Sequence, residues 1–219
     1  MSAAPADPQS LVATTFAGKF LVEAFIAESA QGQVFRATDR LLERRVALKL
    51  ARGSSGDPAD DEAAEQSLHR EALALARVPH NNLRRVYELG RDHATGTFFG
   101  AFEWLAGTFL SALRDLPLTE DQLLRIADSL AAAVGAAHRL GIVHRDLRPE
   151  HILLCTSEEG LVASRLLDFG VARVSDAEPA GKVTNPGELG GGLGLMSPEQ
   201  LRGEALDARS DVYSVGAML

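Results

Sequence analysis

Lys49 stands in a strand-like run otherwise made of Val46, Ala47, Leu48 and Leu50, and Glu71 shares a helix face with Leu68, Ala72 and Leu75. No basic residue lies three or four positions from Glu71, so no local surface pair accounts for its carboxylate. A half-buried carboxylate needs a cation from elsewhere, and Lys49 has the complementary need. Taken alone, each is read first as a solvated surface charge. Further on, residues 142–154 read IVHRDLRPEHILL and place His144, Arg145 and Asp146 between a helix stop and a short strand. A second strand ends in Asp168-Phe169-Gly170, twenty-two residues past Asp146. Two aspartates delivered by neighbouring strand ends can converge on one site, one as base and one as metal ligand. A lone DFG triplet is more often a turn.

Patterning predicts the elements that must position these residues. Short apolar alternations from Lys19 to Thr38 predict two strands around a turn at 28–33. A third strand is expected at 45–51, an acidic loop at 52–61, and a helix at 63–78 ended by Pro79. Strands at 87–89 and 97–104 complete a β-rich first half with one helix. The character changes near Gly107. The clearest helix runs over 118–140, with Thr119 as N-cap, Gln122 closing a capping box, acidic Glu120 and Asp121 at the positive end, and Gly141 as stop. Leu123, Ile126, Ala127, Leu130, Ala131 and Val134 form its apolar face. Strands at 152–155 and 165–167 follow, then a loop of about 25 residues carrying five glycines between 187 and 194. Residues 1–17 lack periodicity and are expected to be a loose tail.

Composition narrows the class. Across 219 residues, 22 basic against 30 acidic side chains give a net charge of −8, which argues against wrapping nucleic acid or resting on an anionic membrane. The single Cys155 cannot form an internal disulfide, fits a reducing compartment, and is expected to be a small buried apolar residue. The first cation is Lys19 and no apolar run reaches about 18 residues, so neither a secretory signal nor a membrane span is expected, and the cytoplasm is the expected location. Only Lys19, Lys49 and Lys182 are lysines among the 22 basic residues, which raises the chance that each has a specific reason.

In order along the chain, VALK at 46–49, Glu71, HNNL at 80–83, HRDLRPE at 144–150, DFG at 168–170, SPE at 197–199 and SDVYSVG at 210–216 resemble the protein kinase family, most closely the bacterial Ser/Thr kinases of eukaryotic type. The resemblance covers 18–219 and implies an α+β, two-lobed fold. A small β-rich lobe with one helix is expected over 18–106, and a mainly helical lobe over 107–219. It implies a Ser/Thr protein kinase that transfers the ATP γ-phosphoryl group to protein hydroxyls with Mg2+. By the same resemblance Lys49 pairs with Glu71 and holds the α/β-phosphates, Asp146 is the base, Arg148 takes the place of the family's lysine, and Asp168 binds the metal. Ala27, Ser29 and Gly32 fall on the phosphate-covering loop. Val34 and Ala47 line the adenine pocket, Phe102 is the gatekeeper, and Glu103 and Leu105 offer backbone groups to the base. His144 supports the loop backbone. Arg145 resembles the arginine that docks a phosphorylated loop, with Ser175 and Thr184 as candidates for a phosphate that autophosphorylation could supply.

The departures from the family point another way. Of the loop glycines only Gly32 survives, and Ala27 and Ser29 each add a Cβ where backbone must approach phosphate. His151 replaces the family's second metal-binding Asn; imidazole suits other metals better than Mg2+, so slow turnover and better support by Mn2+ are expected. The alternative for His151 is a structural histidine packed against the next strand. A metal site built from His138, His144 and His151 lacks recognised ligand spacing. Gly192 and Leu195 stand where the family has Thr and Tyr. The chain ends at Leu219 inside a helix expected to begin near Asp211. On the resemblance, later helices are missing, Glu199 lacks its arginine partner, and an uncovered helix face favours self-association. These departures support a rival reading: a catalytically impaired, pseudokinase-like module that binds nucleotide or a protein partner. A kinase of small molecules ranks third.

Overall fold

The computed structural model describes residues 7–29, 32–52, 57–113, 118–156, 162–169, 173–174 and 193–219. The chain packs as two units, one from Met1–Ala76 with Arg85–Trp104, the other from Arg77–Arg84 with Leu105–Leu219.

The first unit is an antiparallel sheet of β1 (Thr15–Phe16), β2 (Phe20–Ser29), β3 (Gly32–Asp39), β4 (Arg44–Leu50), β5 (Val86–Arg91) and β6 (Phe98–Glu103), in the order β1-β2-β3-β4-β6-β5. Alternation along each strand gives the sheet two faces. One buries Phe16, Phe20, Phe35, Val46, Leu48 and Phe99 as a core, with Phe16 and Phe20 edge-on to Phe99. On the other face, register sets Val34 opposite Lys49, Lys49 opposite Gly100, and Ala47 opposite Phe102. Helix α1 (Pro58–Arg77) lays Leu68 on this second face against Gly100, where an added Cβ would strike the Phe102 ring.

Two expectations are corrected here. The predicted loose tail over 1–17 is structured from Asp7 onward: Pro8–Leu11 forms a 3-10 turn capped by Asp7, Thr15–Phe16 pairs with β2, and Phe16 is buried. A single aromatic anchor does this work, and no periodicity reports it. Helix α1 begins at Pro58, five residues before the expected 63, because the Asp57 carboxylate accepts the Ala59 N–H at 2.9 Å and Pro58 suits the first turn.

The second unit contains β7 (Thr108–Phe109), α2 (Glu120–His138), β8 (Ile142–Val143), β9 (Ile152–Thr156), β10 (Val162–Leu166), β11 (Arg173–Val174), α3 (Pro198–Arg202) and α4 (Ala208–Met218). Strands order as β10-β9-β7 and β11-β8. The α2 capping box forms as expected, with Thr119 and Gln122 each bonding the other's backbone N–H. Ala131, expected on the apolar face, is exposed, and Ala133 is buried instead. Asn82 ties the HNNL segment to β10: its side-chain amide donates to Ser164 O at 3.0 Å, and its carbonyl accepts Leu166 N–H at 2.8 Å. Cys155 is half-buried rather than a core residue. Among the described residues no helix is long and apolar enough to cross a membrane.

Candidate active site

Lys49 and Glu71 meet. Nζ lies 2.6 Å from Oε2, and the two side chains are 7% and 1% exposed, so neither is a solvated surface charge. A buried charge persists only when paired, and these two pair across strand and helix. Ala27 faces Val34 across β2 and β3, which puts Ala27, Val34, Lys49 and Gly100 in one cross-strand row, with Ala47 and Phe102 in the next. Phe102 is fully buried. The Ser29 backbone pairs with Gly32 at the end of the β2–β3 ladder. Gly32 has φ +135°, and a Cβ there would run into the Leu50 carbonyl, so close packing of β3 on β4 demands this glycine without any ligand. Of the expected base-binding groups, the Glu103 N–H donates to Arg85 O at 2.9 Å. Leu105 is half-buried at the start of the second unit.

In the second unit the HRDLRPEH segment is organised around its histidines and one distant aspartate. His144 is 2% exposed; its Nε2 bonds the Asp168 carbonyl, and its ring packs 4.7 Å from that of Phe169. A carbonyl only accepts, so Nε2 carries the proton and Nδ1 accepts the Asp146 N–H at 3.3 Å. Burial pushes the ring's pKa below its usual value and keeps it neutral. Asp211, 1% exposed near the start of α4, accepts the N–H groups of His144 and Arg145, both at 2.8 Å, and bonds His138 Nε2 at 2.7 Å. Burial alone would raise the Asp211 carboxyl, but the His138 bond and the two N–H donors hold it below the usual range. Neither the SDVYSVG motif nor the α2 pattern assigns Asp211 or His138 this task, because the bond joins residues 73 positions apart in the sequence.

Asp146 is held from two sides. Arg148 Nε lies 2.8 Å from Oδ1, and His151 Nδ1 lies 3.0 Å from the Asp146 carbonyl. His151 is therefore more than a packing residue against the following strand: its ring fixes the backbone of the loop. Asp168 is half-buried beside His144. His138, His144 and His151 bond Asp211, Asp168 and Asp146 respectively rather than one another, and among the described residues no three His, Cys, Asp or Glu side chains are grouped to hold a metal. Glu199, expected to lack an arginine partner, accepts the Ser210 hydroxyl at 2.5 Å, and that bond lowers its pKa. The Leu195 carbonyl accepts the Ser214 hydroxyl at 2.8 Å. Gly170, Ser175, Thr184 and Gly192 lie outside the described residues.

Known proteins resemble this chain over nearly its full length. Residues 21–219 match the protein kinase domain. Serine/threonine-protein kinase pkn3 of Myxococcus xanthus is 38% identical over 216 residues, 97% of this chain and 39% of its own length. The DNA damage-responsive serine/threonine-protein kinase RqkA of Deinococcus radiodurans is 36% identical, covering 94% of this chain and 30% of its own. Serine/threonine-protein kinase PknL of Mycobacterium tuberculosis is 36% identical, covering 92% and 48%. The chain thus spans less than half the length of these curated relatives. A crystal structure of the Mycobacterium tuberculosis PknI kinase domain, a double mutant, superposes with a TM-score of 0.64 at 25% identity, over 93% of this chain and 74% of that one. A match that begins in β2 and runs through the last residue, on a fold that superposes on a solved kinase domain, means that the chain belongs to the protein kinase family.

Proposed function

We propose that this chain is the catalytic region of a serine/threonine protein kinase, transferring the γ-phosphoryl group of ATP to a protein hydroxyl. The observation that supports this most is the buried Lys49–Glu71 pair at 2.6 Å. It keeps a lysine charged and fixed on a sheet face where Ala27, Val34 and Ala47 are small, as holding a polyphosphate requires. Replacing such a buried pair by packed apolar residues is often neutral or stabilising, so stability alone does not call for it. Asp146 would orient the acceptor hydroxyl and take its proton, with Arg148 and His151 fixing its carboxylate and backbone.

A divalent ion, when bound, would neutralise charge on the phosphates. Asp168 offers it an oxygen. His151, with its Nδ1–H given to the Asp146 carbonyl, has Nε2 left as a nitrogen donor. One carboxylate and one imidazole fit Mn2+ better than Mg2+, which supports slow Mg2+-dependent turnover. A second reading, a kinase-like module that binds nucleotide or a partner without transfer, draws on Gly32: the one retained loop glycine is demanded by Leu50 and therefore says nothing for phosphate.

The test is thermal. ATP with a divalent ion should raise the melting temperature of the wild-type chain, and Lys49→Met should lose that rise while still melting cooperatively. An equal rise in the variant would remove Lys49 from the nucleotide site.

A further inference from the structure

Helix α1 is attached to its sheet unevenly. In its second half Ser67, Leu68, Glu71, Ala72, Ala74 and Leu75 are buried, whereas over 58–66 only Ala64 is. The first half meets the sheet through charge instead. Glu65 Oε1 and Oε2 accept from Arg91 Nη1 and Nη2 at 2.8 and 2.6 Å, a bidentate fork at the end of β5. On the sheet side the fork is held before Glu65 reaches it. Arg91 Nη1 also donates to the Gly96 carbonyl at 2.7 Å, and the guanidinium lies 5.6 Å from the Phe98 ring centroid. The β5–β6 turn that carries these groups is itself tied. Asp92, 7% exposed, accepts the Thr95 N–H at 2.9 Å and its hydroxyl at 2.7 Å, and Gly96 takes φ +75°.

We infer that the Glu65–Arg91 pair is a latch that positions α1 and so keeps Glu71 against Lys49. The inference rests on the reading of Lys49–Glu71 as the nucleotide-holding pair. Glu65 precedes Glu71 by six residues, about 9 Å along the axis, at the end of α1 that packing does least to hold. Exposed ion pairs usually contribute little. This one has a pre-ordered, bidentate cation, and the half-helix it holds buries Ala64 alone over 58–66. With the latch open, α1 spends less time with Glu71 docked, and apparent ATP affinity falls by that fraction. Lysine cannot substitute, because the fork geometry is lost.

The experiment combines hydrogen exchange of the full chain with binding of a fluorescent ATP analogue and a melting curve. Arg91→Gln and Glu65→Gln should each speed exchange of the α1 amides and weaken nucleotide binding about two- to fivefold, with little change in melting temperature. The double variant should be no worse than either single one. The exchanged pair Glu65→Arg with Arg91→Glu should recover both protection and affinity, and Arg91→Lys should not. Wild-type exchange and affinity in both single variants, or effects that simply add in the double variant, would overturn the latch. If the wild-type chain binds no nucleotide, the kinase reading fails by itself, and the α1 exchange rates still decide the latch.

Discussion

The Asp211 carboxylate accepts the backbone N–H of Arg145 at 2.8 Å, across 66 positions of sequence, and Arg145 has φ +72°, a left-handed conformation that a side chain of its size rarely adopts. The next residue is Asp146, so the strained backbone aims the proposed base, and Asp211 holds the strain in place. The Gln200 side chain adds a bond to the Arg145 carbonyl at 2.7 Å. Asp211→Ala would strand two buried N–H groups, at about 1–3 kcal/mol each, and release Arg145. The melting temperature should fall by several degrees and phosphoryl transfer should fall further than stability does. Asp211→Asn, which keeps one acceptor, should fall between. A variant with wild-type transfer would show that the loop needs no clamp.

Acid should undo the same contact. The Asp211 pKa is depressed in the native state, so its contribution to stability is present above the ordinary 3.8 and is lost as pH falls through the lower folded value. The acid limb of the stability curve should therefore lose part of its slope in Asp211→Asn below the ordinary 3.8. The flattening is partial because Asp92 and Glu23 are depressed too, by the Thr95 and Thr38 hydroxyls. An unchanged slope would contradict the assignment.

Gly100 tests the seating of α1. A Cβ there would come 2.6 Å from the Phe102 ring and 3.3 Å from Leu68, on the face that carries Lys49. Gly100→Ala should cost about 1–3 kcal/mol and weaken ATP binding together with stability. Gly90→Ala makes a matched comparison: its Cβ would meet the Phe99 ring at 2.8 Å on the core face. It should lower the melting temperature and leave ATP affinity alone. Equal losses of affinity in both would mean that the effect is general loosening of the sheet.

His151→Asn separates metal choice from loop support. Restoring an oxygen donor should increase Mg2+-dependent transfer and narrow the Mn2+ advantage; a gain of about 3 kcal/mol would be roughly a hundredfold. Equal rates in both proteins with both metals would confine His151 to its bond with the Asp146 carbonyl.

The Lys49–Glu71 pairing was legible only through the order of the motifs, since each charge alone reads as solvated, whereas the α2 start was legible because a capping box is local chemistry. What stayed hidden depends on contacts between distant residues. Phe16 builds a strand from an aperiodic run only because Phe99 and β2 receive it. β8 and β11 are two residues each, too short for any alternation to register. Asp211, Ser210 as the partner of Glu199, and the commitment of the Glu103 N–H to Arg85 all follow from tertiary placement rather than spacing.

Phosphoryl transfer itself is the most direct test. Radiolabelled ATP and a generic protein substrate should yield labelled serine or threonine with wild-type chain, faster with Mn2+ than with Mg2+. Lys49→Met and Asp146→Asn should each lose at least about a hundredfold of that rate, within the range that positioned acid–base groups contribute. No label with either metal, or label that survives both substitutions, would contradict the account.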